Sequence, residues 1–276
     1  MKKKQSLLLL KHRKNIKIKR ILKRGSKEKK LSIKQMSVVM MAKNAEDTIA
    51  QSLDSLSAFD EVLLYLNHST DATKTIVQNY ANVKIVEGEF LGFGKTKNVA
   101  ASHSKHDWIL SLDSDEILNE KLIAEISQQD FSDITKLYQL KRDNYFLGHK
   151  TQSADLIVRI YNKNHTGFND NNVHEKIIVP KLSQVMTLKH SFVHLNITNI
   201  NQTLTKIIQY TDLGAENKKT CFFSVLIFKS MFAFFKTYIL QGNIIRGWVG
   251  FALAVNSANK RYYKYMKQFI NCQEKE

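Results

Sequence analysis

The chain has 276 residues, of which 43% are hydrophobic and 24% are charged, a composition that is ordinary for a folded protein with a sizeable core. One proline and ten glycines argue against a collagen-like, disordered or turn-rich all-β protein. The two cysteines, Cys221 and Cys272, are too few for a disulfide framework or a zinc site of their own, and this count fits a reducing compartment.

The net charge of +17 is concentrated at the N-terminus. Residues 1–34 contain 15 basic residues and one acid, Glu28, so this arm carries +14, whereas the rest of the chain has 27 basic and 24 acidic residues and carries +3. A basic arm of this kind is either a solvated tail or a segment that binds anionic lipid or nucleic-acid phosphates. Leu7–Leu10 is too short for the apolar region of a signal peptide.

Short apolar segments alternate with helical patterns between residues 36 and 112. The predicted strands are 37–42, 61–66, 83–87 and 107–112. The predicted helices are 44–58, 73–80 and 98–104. This alternation is typical of βαβ units and indicates an α/β fold with a mostly parallel sheet.

The pattern changes in the second half of the chain. Shorter strands are predicted at 137–142, 156–161 and 176–179, which favours an antiparallel extension of the sheet. From residue 201 onward the pattern is helical and rich in phenylalanine, but Lys229 and Lys236 interrupt the run, so it falls short of the ~18 apolar residues of a spanning helix. The predicted division is a basic arm (1–34), a sheet domain (35–200) and a helical C-terminal region (201–276).

Polar clusters follow three of the predicted strands, at Lys43-Asn44, at residues 67–71 and at Asp113-Ser114-Asp115. Ligands in parallel sheets bind at the carboxyl ends of the strands, where these clusters meet. Two carboxylates one residue apart repel each other unless a cation lies between them, and a hard divalent ion such as Mg²⁺ or Mn²⁺ suits their oxygens. Asp113 and Asp115 are therefore predicted to bind a metal and a phosphorylated ligand.

Five segments in order give the chain a family resemblance. They are Ser-Val-Val-Met-Met-Ala-Lys-Asn (37–44), Asn-His-Ser-Thr-Asp-Ala-Thr (67–73), Gly-Phe-Gly-Lys-Thr-Lys-Asn (92–98), Trp-Ile-Leu-Ser-Leu-Asp-Ser-Asp-Glu (108–116), and Val-His-Glu-Lys (173–176) with the earlier Arg159. This set resembles family 2 glycosyltransferases of the GT-A fold, in particular bacterial lipopolysaccharide core β-1,4-glucosyltransferases. One departure is Leu66, where the family usually has an Asp that contacts the nucleoside, and His68 replaces the usual Gly.

The resemblance implies an inverting, metal-dependent transferase that uses a nucleotide-diphosphate sugar. It implies that Asp115, with help from Asp113, holds Mg²⁺ or Mn²⁺ against the departing diphosphate. By the same resemblance His194 is a third metal ligand, with an ordinary partly buried histidine as the alternative and His190 as a competitor for the site.

An inverting reaction also needs a base that removes the proton of the acceptor hydroxyl. Glu175 is the first candidate for this base, Asp170 the second and Glu116 a weaker third. Arg159 and His174 are expected to contact the diphosphate or to orient the base. The remaining predicted nucleotide-binding residues are Lys43, Asn44, Asn67, Asp71, Lys97 and Asn98.

The C-terminal helices, in which phenylalanines accompany lysines and arginines, are typical of helices that lie in a membrane surface. The predicted partners are therefore a UDP-hexose donor, a lipid-anchored glycan acceptor and an anionic membrane surface, with the enzyme on the cytoplasmic face of the bacterial inner membrane. A nucleic-acid-binding protein would interleave basic with aromatic residues on its folded surface, whereas here the charge lies on an arm without aromatics. A nucleotidyltransferase would show a glycine-rich loop after the first strand, and Met41–Asn44 contains no glycine.

Overall fold

A computed structural model describes residues 33–171, 175–215 and 220–274. Eight strands form one sheet in the order β3-β2-β1-β4-β7-β6-β8-β5. The strands are β1 (Met36–Ala42), β2 (Glu61–Leu66), β3 (Val83–Glu87), β4 (Trp108–Asp113), β5 (Glu116–Ile117), β6 (Lys136–Phe146), β7 (His149–Asn162) and β8 (Gln184–Ile197). The helices are α1 (Ile49–Asp54), α2 (Thr73–Val77), α3 (Phe93–Ser102), α4 (Glu120–Ser127), α5 (Ile200–Ala215), α6 (Phe223–Phe235) and α7 (Gly247–Gln273). Single turns or short helical segments occupy Ile33–Gln35, Lys236–Leu240 and Asn243–Arg246.

The first half of the sheet is parallel. β1 pairs with β2 on one side and β4 on the other, and β2 pairs with β3, all in parallel register. β1 is apolar at almost every position because both of its faces are covered. Val38 and Met40 pack into the core cluster that includes α1 and α4, whereas Val39 packs on the opposite side against α3. These parallel strands place the ends of β1, β2 and β4 at one edge of the sheet.

The second half of the sheet is mixed. β7 runs antiparallel to β4 and to β6, β8 runs parallel to β6, and β5 pairs with β8. Leu147 and Gly148 form the tight turn between β6 and β7, and both have positive φ values, 48° and 77°. The predictions for 137–142 and 156–161 fall inside β6 and β7, but the structure corrects two others. β8 went unrecognised in the sequence, and 176–179 contributes only a single bridge from Ile177 to Phe168.

The three C-terminal helices pack on each other and on the far end of the sheet. Val249 of α7 joins Phe146 and Ile197 in a small apolar cluster. Cys221 and Cys272 form a disulfide with a Cα–Cα distance of 5.5 Å, which ties the start of α6 to the end of α7. Residues 1–32 of the predicted basic arm lie outside the described residues.

The stretch Phe223–Leu240 is long and apolar enough to cross a membrane by length and composition, even though it contains Lys229 and Lys236. The sequence analysis predicted instead that this stretch is too short to span a membrane, because it counted only uninterrupted apolar residues. Both ends of the α6–α7 pair are attached to the sheet domain or to α5. At one end Arg246 donates to the backbone oxygen of Lys150, and at the other Lys267 pairs with Asp212 of α5.

Candidate active site

The loops after β1 and β2 are joined by hydrogen bonds at the carboxyl edge of the sheet. The Oδ1 of Asn44, whose φ is 51°, accepts the N–H of Thr70 at 2.9 Å, and the N–H of Asn44 donates to Ser69 Oγ at 3.1 Å. Asp71 accepts the N–H groups of Glu46 and Thr73, each at 3.1 Å. Burial raises the pKa of Asp71, but these hydrogen bonds outweigh it and leave the pKa below its usual value. Asn44 and Asp71 therefore hold two loops in fixed positions, and Lys43 is exposed beside them.

Asn67 follows β2 and is buried. Its side-chain amide donates to the backbone oxygen of Gly88 at 3.2 Å, so it connects the ends of β2 and β3. His68 has a φ of 49°, and its ring lies 3.1 Å from the carboxylate of Glu89. His68, at the position of the family's usual Gly, therefore adopts a left-handed backbone conformation.

The two acids of the Asp113-Ser114-Asp115 segment point in different directions. Asp113 accepts from Lys97 Nζ at 2.8 Å and from Arg159 at 2.9 Å. Burial acts to raise the pKa of Asp113, but the two cations outweigh it and hold the pKa well below its usual range. Asp115 instead faces His194, whose Nε2 lies 3.4 Å from its Oδ2.

Hydrogen bonds from α1 and its N-terminal turn fix the backbone between Asp113 and Asp115. The carbonyl oxygen of Ser114 accepts hydrogen bonds from the hydroxyls of Thr48 and Ser52, each at 3.0 Å. Both donors belong to α1 or its N-terminal turn. The loop that carries Asp113 and Asp115 is therefore anchored to α1 as well as to β4.

A buried ionic cluster lies under this loop. Glu116 has no exposed side-chain surface, and it accepts from Arg159 and from the N–H of Asp113. Burial raises the pKa of Glu116, against the attraction of Arg159. This burial and the contact with Arg159 argue against Glu116 as the base. Arg159, predicted to contact diphosphate or to orient the base, instead lies beneath Asp113 and is 3% exposed.

Lys97 connects the Asp113 loop to the segment that carries Glu175. Its Nζ lies 2.8 Å from Asp113 Oδ1 and 2.8 Å from Glu175 Oε1. Burial lowers the pKa of Lys97, but the attraction of Asp113 and Glu175 exceeds this effect and the pKa is raised. The structure thus brings together Lys97, Asp113 and Glu175, which are distant in the sequence.

Asn98 holds the loop that contains Asp170. Its amide donates to the backbone oxygen of Phe168 at 2.9 Å and accepts the Phe168 N–H at 2.8 Å. Gly94 allows the same loop to approach α3, because a Cβ there would lie 1.8 Å from the backbone oxygen of Asn169. Asn98, predicted to line the nucleotide pocket, therefore has a loop-positioning contact. Asp170 is exposed, and His174 lies outside the described residues.

The environment of His194 suits a cation ligand. Its Nδ1 lies 2.8 Å from Asn144 Oδ1, and because an amide oxygen only accepts, we assign the proton to Nδ1. Nε2 then presents its lone pair toward Asp115, the arrangement in which a hydrogen-bonded partner orients a metal-binding histidine. The competitor His190 pairs with Glu125 at 2.7 Å on the surface, away from Asp115.

The three predicted metal ligands differ in their surroundings. Asp113 is engaged by Lys97 and Arg159, which leaves Asp115 and His194 as the pair that face each other. Across the ranges that the structure describes, no group of three or more His, Cys, Asp or Glu side chains is arranged around a common metal position. Two protein ligands fit Mg²⁺ or Mn²⁺, since such ions commonly complete their coordination with water and substrate phosphates.

Two lysines outside the predicted site residues come from the C-terminal helices, and one of them, Lys206, lies near Asp115. Lys206 of α5 donates to Asn196 Oδ1 at 3.0 Å; burial lowers its pKa, and Asp115 partly counteracts this. Burial and the nearby charge of Lys206 both lower the pKa of Lys260 of α7. The ammonium of Lys260 also lies 6.0 Å from the ring centre of Tyr210. No local motif marks these residues, because only the packing of α5 and α7 brings them to the sheet edge.

A Rossmann-like sheet with an acidic loop and lysines at its carboxyl edge is typical of proteins that bind a phosphorylated ligand at this edge. Residues 37–184 match the family described as Glycosyl transferase family 2, so the chain belongs to this family. The predicted family and its GT-A fold are thereby confirmed.

Relatives in bacteria extend this match. The chain is 25% identical over 257 residues to an uncharacterised glycosyltransferase of Rickettsia bellii, covering 86% of this chain and 87% of that one. It is 23% identical over 239 residues to the lipopolysaccharide core biosynthesis glycosyltransferase LpsC of Rhizobium meliloti, covering 81% and 87%. A crystal structure of Staphylococcus aureus TarS 1–349 in complex with UDP aligns over 88% of this chain and 92% of that one, with 16% identity and a TM-score of 0.41.

Proposed function

We propose that this glycosyltransferase moves glucose from UDP-glucose onto a lipopolysaccharide inner-core sugar such as heptose, with inversion to a β-linkage. Membership of family 2 supports a nucleotide-sugar donor. The name of the Rhizobium relative, a lipopolysaccharide core biosynthesis glycosyltransferase, supports the acceptor class. A different surface polysaccharide is the alternative acceptor.

The observation that carries the proposal is the chain of contacts from Glu175 through Lys97 to Asp113, two residues before Asp115. This connection supports Glu175 as the carboxylate that accepts a proton and Asp115 as the carboxylate that holds a cation. Glu175 is partly exposed, with 17% of its side chain accessible, so an acceptor hydroxyl can reach it. In the proposed inverting mechanism, the base activates the acceptor hydroxyl and the cation stabilises the leaving diphosphate.

In the proposed mechanism Glu175 accepts the proton of the acceptor hydroxyl, while that oxygen attacks the anomeric carbon from the face opposite to the diphosphate. The bond between the anomeric carbon and the diphosphate oxygen breaks, and its electron pair leaves with the diphosphate. A divalent cation held by Asp115 and His194 would neutralise this charge. Lys206 provides a second positive charge near the same position. Asn44 and Asp71 keep the nucleotide-side loops in place.

We also infer that the enzyme works on the cytoplasmic face of the inner membrane, where a lipid-anchored acceptor would be met. The basic arm at 1–34 and the exposed apolar residues of α6 support this location. The attachment of both ends of the α6–α7 pair to the rest of the protein favours helices that lie in the interface rather than cross the bilayer.

The test is a donor screen with purified full-length protein, Mg²⁺ or Mn²⁺, and an acceptor lipid that contains heptose. Transfer from UDP-glucose, lost in Asp115→Asn, is the expected result. Transfer from another nucleotide sugar would change the donor assignment. No transfer from any nucleotide sugar to heptose-containing acceptors, with transfer to another glycan, would refute the acceptor assignment.

A further inference from the structure

A cavity of about 410 Å³ lies between α6 and α7, and its lining includes none of the candidate active-site residues. Three cationic side chains line it, Lys229 and Lys236 from α6 and the turn after it, and Arg261 from α7. Thr237, Gln241, Ser257 and Tyr265 add neutral hydrogen-bonding groups to the same lining. The cavity thus combines positive charge with several polar groups, which is the chemistry that binds a phosphate.

Among the residues that the structure describes, no acidic side chain lines this cavity. Between Thr220 and Gln273 the sequence has seven basic residues and no acid. Lys229, Lys236 and Arg261 form no ion pair within the part of the chain that the structure describes. Three like charges around one small cavity repel each other, so an anionic occupant would relieve this repulsion.

The cavity adjoins an exposed apolar face. Phe228, Phe232 and Phe235 recur at spacings of three and four residues, so they share one side of α6, and they are 72%, 59% and 50% exposed. Phe232 belongs both to this face and to the cavity lining. Just beyond Phe235 the helix widens to a π-helix at Lys236–Leu240, which supplies Lys236 and Thr237 to the cavity. A ligand with a phosphate joined to hydrocarbon would match both surfaces at once.

We propose that this cavity binds the phosphate of an anionic bilayer phospholipid, whose acyl chains lie along the Phe228, Phe232 and Phe235 face. The charge of the surface decides among the possible occupants. The basic arm of residues 1–34 and the same face of a second copy are both positively charged, so neither complements it. The inference rests on the proposed membrane association, and it adds a discrete lipid site to the general attraction of the basic arm.

The experiment is calorimetric titration of the full-length protein with soluble, short-chain phosphatidylglycerol below its micelle concentration. Short-chain phosphatidylcholine and inorganic phosphate serve as comparison ligands. The test variant is Lys229→Gln/Lys236→Gln/Arg261→Gln. The matched control is Lys105→Gln/Lys121→Gln/Lys181→Gln, which removes the same charge from exposed positions of the sheet domain. Thermal unfolding of both variants checks that they fold.

Wild type and control are expected to bind about one phosphatidylglycerol per chain, and the test variant at least about tenfold more weakly. Phosphatidylcholine and inorganic phosphate should bind more weakly than phosphatidylglycerol to the wild type. Equal binding by the test variant and the control would overturn the proposal, and so would inorganic phosphate that binds as tightly as the lipid. Sedimentation with phosphatidylglycerol vesicles at 0.3 M salt, which screens the basic arm, gives a second measurement. Wild type and control should again bind more tightly than the test variant.

Sugar transfer to a soluble acceptor separates this proposal from the proposed function. The three cavity residues lie outside the catalytic cleft, so the test variant should keep its transfer rate with such an acceptor. A test variant that loses lipid binding but keeps this rate supports the site. A folded test variant that keeps lipid binding overturns it, whichever sugar the enzyme transfers.

Discussion

The ammonium of Lys97 lies 2.8 Å from a carboxylate oxygen of Glu175. The same ammonium contacts Asp113, so one buried cation joins the proposed base to the acidic loop. This arrangement positions Glu175 without enclosing it, and it makes the roles of the two carboxylates separable by mutation.

Replacing Glu175 with Gln should lower kcat by about 10² to 10⁴, because the amide cannot accept the acceptor's proton. The change keeps the size of the side chain, and the dissociation constant for the donor should therefore stay within about twofold. Steady-state kinetics with donor calorimetry measures both quantities. Asp170→Asn is the control and should keep the wild-type rate. If Glu175→Gln keeps full activity, Glu175 is not the base and Asp170 becomes the candidate.

Replacing Lys97 with Met should destabilise the protein by about 3–5 kcal/mol, because Asp113 and Glu175 would lose the cation between them. Denaturant unfolding measures the change in free energy. Lys95→Met, which alters an exposed lysine on the same helix, should change stability by less than about 0.5 kcal/mol. Similar values for the two variants would show that the Lys97 contacts contribute little.

Asp113 should make stability depend on pH. Its folded pKa lies well below 3.8 because Lys97 and Arg159 outweigh the effect of burial. The carboxylate therefore stabilises the fold fully above about pH 4, its unfolded pKa, and this contribution is lost as the pH falls toward the folded pKa. A third of the side chain is exposed, so solvent screening limits the contribution to about 1–3 kcal/mol.

The measurement is the unfolding free energy of wild type and Asp113→Asn between pH 3 and pH 7. The variant should be less stable at pH 7, and the difference should shrink below pH 4. Asp107→Asn, at an exposed position before β4, is the control and should show no such trend. A difference that stays constant over this range would contradict the ionic account of Asp113.

Asp115→Asn and His194→Gln should each weaken Mn²⁺ binding in the presence of UDP by about 10-fold or more. His190→Gln removes a histidine that pairs with Glu125 on the surface, and it should leave the affinity unchanged. Electron paramagnetic resonance of free Mn²⁺ reports the affinity directly. If nucleotide sugar binds equally well with chelator present and with Asp115 replaced, the proposed cation site is wrong.

Lys206→Met should raise the dissociation constant for UDP-sugar by about tenfold, because a partly buried positive charge near Asp115 would be lost. Lys189→Met, which alters an exposed lysine on β8, is the comparison. Donor titration by calorimetry distinguishes the two. If the two variants bind UDP-sugar with equal affinity, Lys206 does not contribute to donor binding and only holds Asn196 in place.

The local pattern of apolar residues was sufficient to predict the strands in the parallel half of the sheet. Strands β1, β2 and β4 are buried on both faces, so their sequences are continuous apolar runs. The acids at the end of β4 and just after it therefore had to lie at the sheet edge. β8 gave no such signal. Most of its residues are exposed or half-buried, and its pairing with β6 is between segments about 50 residues apart.

The sequence by itself determined the family, the strand–helix alternation and the position of Asp113 and Asp115, because these depend on short motifs and on burial patterns within single elements. Only the tertiary structure decided which side chains each of the two acids contacts. Lys97 and Arg159 bind Asp113, while β8 brings His194 to Asp115. The reason is that ion pairs form between side chains that packing brings together, and their charges interact over a few ångströms whatever their separation along the chain.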